Sequence, residues 1–322
     1  MKRLCSRCST FVVATLVVPG RTRRLKSLLQ DRQMGLNGVL AAGAIMLSLF
    51  ACQPAPMAPP LGRFGVCAEW VPDLQAQLDK LGNVWYYDYS YKSPAIAGHP
   101  RLFMVREEPF DKELEKVMRS HPGAWWAAGN EPNDPHQDSR SPAEYARFFH
   151  NFTRFAKRAD PRCKVIPGGI ANADWRWARA FREEYRRLYK RYPAVDGWNI
   201  HSYLLDPGLD PYDVAEFKRR ILAFRHWMME IGEGDKPLFL TEFGVLYGAG
   251  CCQRPVDPPE KTIQFMREAV TWLAETNYVQ HWAWFILNNA GDFNGGLYDA
   301  EGRLSPYGEA YRELKALLDK SS

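Results

Sequence analysis

From residue 62 onward, short apolar runs alternate with longer amphipathic ones, and this alternation constrains the fold more than any other feature. The candidate strands are Phe64–Ala68, Asn83–Tyr87, Leu102–Val105, Ala124–Ala128, Lys164–Pro167, Gly197–His201, Leu238–Thr241 and His281–Phe285. Helical periodicity falls between them, at Pro72–Leu81, Lys112–Ser120, Pro142–Arg158, Trp175–Arg191, Asp213–Ile231, Pro259–Thr276 and Tyr307–Leu318. Between the second and third strands the helical candidate is Tyr91–His99, which is short and contains Pro94. Repeated strand-then-helix units make parallel pairing the economical solution, and eight of them in 322 residues predict a single (β/α)8 (TIM) barrel over residues 62–320. Local signals agree. Ser141-Pro142-Ala143-Glu144 combines a capping serine, a proline in the first turn and a glutamate three residues past the cap, which fixes a helix start.

On such a scaffold, chemistry belongs at the carboxyl ends of the strands. The fourth strand ends in the stretch WWAAGNEPN, residues 125–133, where an apolar run passes directly into Asn130 and Glu131. The other ends carry Glu69, Tyr87, Arg106, His201 with Tyr203, Glu242 within TEFG, and Trp284 with Asn289. Acids mixed with aromatic rings suit a carbohydrate cleft, because sugars offer flat C–H faces to rings and many hydroxyls to polar groups. Glu131 and Glu242 form the sharper pair. Glycoside hydrolysis uses two carboxyl groups, and the fourth and seventh strands face one another across a barrel mouth. Separations of about 5–5.5 Å belong to retaining enzymes, wider ones to inverting enzymes. Metal-dependent hydrolase barrels commonly carry His-x-His at the first strand, where this chain has Cys67-Ala68-Glu69. The expectation is therefore a site without metal or cofactor.

Asn130-Glu131-Pro132 on the fourth strand, with Thr241-Glu242-Phe243-Gly244 on the seventh, resembles the clan A retaining glycoside hydrolases. Within that clan, GNEPN, SPAEYA, IHSY and LTEFG are most similar to β-1,3-glucanase-like barrels, with cellulase-like and xylosidase-like relatives nearby. The resemblance implies Glu131 as general acid/base and Glu242 as nucleophile. It further implies Asn130 as a ligand of the hydroxyl beside the anomeric carbon, His201 and Tyr203 as orienting groups for Glu242, and Trp284 as the floor of the sugar subsite. Glu69, Tyr87, Arg106 and Asn289 complete the candidate substrate-binding set. One departure stands out. The arginine common near the end of the second strand is missing from VWYYDYSY, and Arg106 is the candidate replacement. Transglycosylation would use the same residues, and a catalytically silent carbohydrate-binding barrel is the remaining alternative.

Residues 1–52 read as an export region: basic residues through Arg32 precede an apolar run from Val39 to Phe50, too short for a comfortable membrane span. The run ends Leu49-Phe50-Ala51-Cys52, resembling a lipobox with Cys52 as the lipidated residue. The Pro/Ala-rich segment 53–61 then reads as a tether. The formal net charge of +5 is partly concentrated in the first few dozen residues, so nothing points to a nucleic-acid partner. The expected partner is a carbohydrate, with membrane contact only through a lipid anchor at Cys52, for an exported monomer that is either a cell-envelope lipoprotein or, with a plain cleaved signal, secreted. Cys67, Cys163, Cys251 and Cys252 allow two disulfides in an oxidising compartment, with connectivity left open; at the adjacent pair 251–252 a structural disulfide is expected over a metal site.

Overall fold

The computed structural model describes residues 56–246, 257–288 and 295–320. Cys52, Cys251, Cys252 and Asn289 lie outside the described residues. Among the described residues, eight strands and seven α-helices, with one turn of 3-10 helix at Ala171–Ala173, follow in the order β1 (Phe64–Cys67), α1 (Leu74–Leu81), β2 (Trp85–Tyr87), β3 (Leu102–Val105), α2 (Lys112–Ser120), β4 (Trp125–Ala128), α3 (Pro142–Ala159), β5 (Lys164–Pro167), α4 (Trp175–Tyr189), β6 (Trp198–Ser202), α5 (Val214–Glu230), β7 (Leu238–Phe243), α6 (Pro259–Glu275), β8 (His281–Trp284) and α7 (Pro306–Asp319). The expected capping box is present: Ser141 and Glu144 cap one another's backbone at the start of α3.

The strands form two all-parallel sheets, ordered β2-β1-β8-β7-β6 and β3-β4-β5. Single parallel bridges join Tyr86 to Arg101 and Ile170 to Ile200, linking neighbouring strands of the two sheets. Side chains alternate across each strand, and the alternation separates two cores. Val66, Tyr86, Phe103, Trp126, Val165, Ile200, Leu240 and Trp282 face the helices. Cys67, Trp85, Met104, Ala127, Ile166, Phe239 and Ala283, drawn from both sheets, form a second cluster.

Two expectations change. No helix forms between β2 and β3. Pro94 removes a donor and pushes its predecessor toward extended backbone, and Arg101 supplies what a helix would have. Its guanidinium donates to the carbonyls of Ser93 (2.6 Å) and Ser90 (3.0 Å) and pairs with buried Asp88. The expected tether is partly docked: the Ala58 N–H donates to Pro122 O at 2.8 Å, and Leu61 joins the second cluster. Among the described residues, no helix is long and apolar enough to cross a membrane.

One irregularity matters for function. Ile200 pairs with Leu240 but His201 with Glu242, while on the other side Leu240 pairs with Trp282 and Phe243 with Trp284. Strand β7 thus carries one extra residue relative to both neighbours, a bulge at Thr241–Glu242. Such bulges re-aim side chains. Without it Glu242 would share the face of Leu238 and Leu240, against the helices; with it Phe243 takes that face and Glu242 turns away.

Candidate active site

Glu131 leaves β4 through a tight elbow. Gly129 has φ +98° and Glu131 itself φ +42°, the left-handed region that non-glycine residues rarely occupy. A Cβ on Gly129 would lie 2.8 Å from Asp138 Oδ2. That carboxylate holds the elbow: Oδ2 accepts the Asn130 N–H at 2.8 Å, and Oδ1 accepts from Arg106 Nε at 2.8 Å. Strain at such a position persists only where neighbours over-determine it, and is a common mark of functional sites. Tyr145 braces the same region, donating to Ala128 O at 2.6 Å and accepting from the Gly168 N–H at 2.8 Å.

Glu242 is buried and surrounded by hydroxyl donors. Tyr87 and Tyr89 donate to Oε1 at 2.7 and 3.0 Å, and Tyr203 donates to Oε2 at 2.8 Å. Burial pushes all three phenols well above their ordinary range, so they remain donors. Burial also raises the Glu242 pKa; the charge of His201 and the hydrogen bonds of Tyr87 and Tyr203 oppose it.

His201 joins the two acids. Its Nδ1 is 2.9 Å from Glu131 Oε1 and 3.4 Å from Glu242 Oε2, and its Nε2 is 2.9 Å from Thr241 Oγ1. Burial lowers the His201 pKa, but the carboxylates of Glu242 and Glu131 more than reverse this, and the net shift is upward. One oxygen of each glutamate and a ring nitrogen of His201 lie within 4.8 Å of one another. This spacing would also suit a metal ion. However, Glu242 already accepts from three hydroxyls, and His201 Nδ1 is in hydrogen-bonding reach of Glu131.

A cavity of about 640 Å³ opens over these groups, lined among others by Glu69, Arg106, Asn130, Glu131, Tyr203 and Glu242. Seven of the candidate residues therefore converge on it, counting His201, which is fully buried just behind the two acids. Tyr87 is buried as well and acts on Glu242 from behind. Arg106 lines the cavity with its guanidinium paired to Asp138, while the hydrogen bonds to Glu242 come from the hydroxyls of Tyr87, Tyr89 and Tyr203. Trp284 is corrected. It is fully buried, with Nε1 donating to Gly295 O at 2.8 Å and its ring edge-on to Phe243, and the cavity wall is Phe285 instead. Sequence reasoning also missed Tyr89, which belongs to no motif, and Asp138. The disulfide expectation changes too, since Cys67 and Cys163 are free buried thiols. Cys67 Sγ lies 3.1 Å from Thr241 O and 3.3 Å from the Tyr87 hydroxyl, beneath the site.

Two glutamates, one just past the end of β4 and one in β7, coupled by one histidine beside an open cavity, are groups equipped for acid-base and nucleophilic chemistry. A family model described as the glycosyl hydrolase catalytic core matches residues 65–311. The chain belongs to that family. No curated protein sequence matches it. Among solved structures, one similar in fold is a GH128 subgroup II endo-β-1,3-glucanase from Sorangium cellulosum, with 19% identity and TM-score 0.58 over 78% of this chain and 98% of that one. The corresponding enzyme from Pseudomonas viridiflava has 23% identity and TM-score 0.58, covering 78% and 96%. A subgroup I endo-β-1,3-glucanase from Amycolatopsis mediterranei, in complex with laminaritriose, has 19% identity and TM-score 0.59, covering 78% and 99%.

Proposed function

We propose that this glycosyl hydrolase cleaves β-1,3-linked glucan with retention of configuration, Glu131 acting as general acid/base and Glu242 as nucleophile. The observation that carries the reading is the approach of the two carboxylates, with oxygens within 4.8 Å in one cavity, compatible with the short separation of retaining enzymes. Glu131 protonates the glycosidic oxygen while Glu242 attacks the anomeric carbon, giving a glycosyl-enzyme. Glu131 then takes a proton from water, which attacks the same carbon and releases Glu242. Asn130 binds the adjacent hydroxyl. The β-1,3 linkage is favoured by the β-1,3-glucanases that share the fold. The reading includes closure of the two sheets into one eight-stranded barrel, supported by the bridges at Tyr86–Arg101 and Ile170–Ile200 and by the core residues that both sheets share.

The test is hydrolysis of a panel of β-1,3-, β-1,4- and mixed-linkage glucans, xylans and mannans, with the first-formed anomer followed by NMR. Activity confined to β-1,3 linkages with the β-anomer released first is expected; the α-anomer first would overturn retention. Glu242→Gln should lose all turnover. Glu131→Gln should lose about 10²–10⁴-fold on glucan but retain much of its first step on aryl glycosides, whose leaving groups need no proton. We also propose that residues 1–52 direct export and that Cys52 is lipidated. Labelled palmitate incorporated into the wild type but not into Cys52→Ala is the expected result, and label in neither would defeat it.

A further inference from the structure

Asn133, two residues beyond Glu131, has no role in the chemistry above, yet both ends of its amide are engaged. Its Oδ1 accepts from the Ala171 N–H at 2.8 Å and its Nδ2 donates to Ala171 O at 3.1 Å. One side chain thereby clamps the loop after β5 to the loop after β4. The clamped loop passes through two consecutive non-glycine residues in the left-handed region, Asn172 at φ +58° and Ala173 at φ +48°. That backbone is unfavourable for alanine in particular and is held in place from outside. It leaves Asn172 exposed on a ridge.

The ridge has a hollow on either side. Ala171 and Asn172 line the catalytic cavity, and both also line a second cavity of about 330 Å³. Its other walls include Asp174, Trp175 and Arg176 from the start of α4, Asp206 from the loop after β6, and Arg220 and Ala223 from α5. The volume is at the small end of ligand pockets, and the lining is mostly polar. Its charges are largely matched: Arg220 pairs with Asp206 and Glu216, and Arg219 pairs with Glu216 at 2.6 Å. A pocket of fixed amides, carboxylates and guanidinium groups with little net charge favours a neutral ligand with many hydroxyls over an anion.

We propose that the second cavity is a further sugar subsite, which takes another unit of the same glucan chain as it crosses the Asn172 ridge from the catalytic cavity. This rests on the reading of the site as a β-1,3-glucan hydrolase. It makes the enzyme prefer long chains over short ones, because the added contacts are available only to a substrate that reaches across.

Ala223 provides the test, since it lines the second cavity and not the catalytic one. The kcat/KM of the full-length protein is measured on β-1,3-gluco-oligosaccharides from the trisaccharide to the hexasaccharide. The wild type should gain about tenfold with length, equivalent to one or two well-made hydrogen bonds. Ala223→Phe, which fills the cavity, should remove that gain and leave the trisaccharide rate unchanged; Ala223→Leu should remove part of it, and Ala223→Ser should keep it. Trisaccharide rates equal to wild type establish that each variant is folded. A wild-type rate independent of length, or an Ala223→Phe profile like the wild type's, overturns the subsite and leaves the two-glutamate site standing. Failure of the wild type to hydrolyse any β-1,3-glucan defeats the reading of the catalytic site and the subsite with it.

Discussion

His201 Nδ1 stands 2.9 Å from Glu131 Oε1, and a hydrogen-bond chain runs on behind the ring. The Thr241 hydroxyl donates to Asn199 Oδ1 at 2.8 Å, which leaves its oxygen available as an acceptor for His201 Nε2 at 2.9 Å. With Nε2 donating to Thr241, Nδ1 is the ring nitrogen turned to Glu131. In the proposed mechanism Glu131 must deliver a proton to the leaving oxygen, and the histidine stands beside it. Thr241→Val removes the acceptor and leaves the Nε2–H unpaired in a buried site. We expect kcat to fall about ten- to a hundredfold, about 1.4–2.7 kcal/mol of lost transition-state stabilisation, with KM nearly unchanged because Thr241 does not reach the cavity. Thr241→Ser should restore activity. A valine variant with wild-type kcat would remove the threonine from the relay.

Tyr203 donates to Glu242 Oε2 at 2.8 Å and is one of the groups that hold the Glu242 pKa down against burial. In Tyr203→Phe that support is lost, so the carboxylate ionises less readily. The acidic limb of the kcat/KM profile, which in the proposed mechanism reports a nucleophile that must be ionised, should move to higher pH. The loss at the optimum should be about tenfold or more, in line with the value of a hydrogen bond to a charged group. An unshifted acidic limb would separate Tyr203 from the ionisation of Glu242.

Most of this architecture is legible in the sequence. All eight strands are found where apolar runs predict them, the α3 start follows from Ser141 and Glu144, and Asn130, Glu131, His201, Tyr203 and Glu242 do meet at one cavity. What escaped depended on which way side chains point. Trp282 and Trp284 share a parity and both face the helices, so the position that reaches the cavity is Phe285, one residue on. The bulge at Thr241–Glu242 reverses that logic in β7, and an apolar pattern contains no mark of an extra residue. Tyr89 and Asp138 act through contacts with residues 153 positions and 8 positions away, which no local spacing encodes. Cys67 and Cys163 looked available for bridging because their number was even, but both face packed interior.

Protonation of His201 should be visible in stability. Although burial lowers its pKa, the carboxylates of Glu242 and Glu131 raise it overall, so the folded state holds this proton more tightly than the unfolded chain does. The stabilisation is complete below the unfolded value of about 6.5 and disappears as pH rises through the folded value. The Glu242 pKa is also raised and acts in the same direction. The Tm difference between the wild type and His201→Asn should be largest near pH 5–6 and shrink steadily above neutrality, as measured by thermal unfolding at matched ionic strength. A difference independent of pH would show that the histidine contributes shape but not charge.

Gly169 gives the most direct test of the histidine's position. A Cβ at this residue would fall 1.9 Å from His201 Nε2 and 2.2 Å from its Cδ2, so the ring and an alanine side chain cannot coexist without movement. The ring has nowhere to retreat while both its nitrogens are held, by Glu131 on one side and Thr241 on the other. Gly169→Ala should therefore cost about 1–3 kcal/mol of stability, the usual range for overpacking, and more than about a hundredfold in kcat as the Glu131 contact is lost. The discriminating measurement is a double-mutant cycle. In a His201→Ala background the added methyl group has space, so the extra cost of Gly169→Ala should nearly vanish, whereas residues that act independently would give additive losses. Additivity in both stability and kcat would mean that Gly169 is needed for the backbone after β5 and not for the ring.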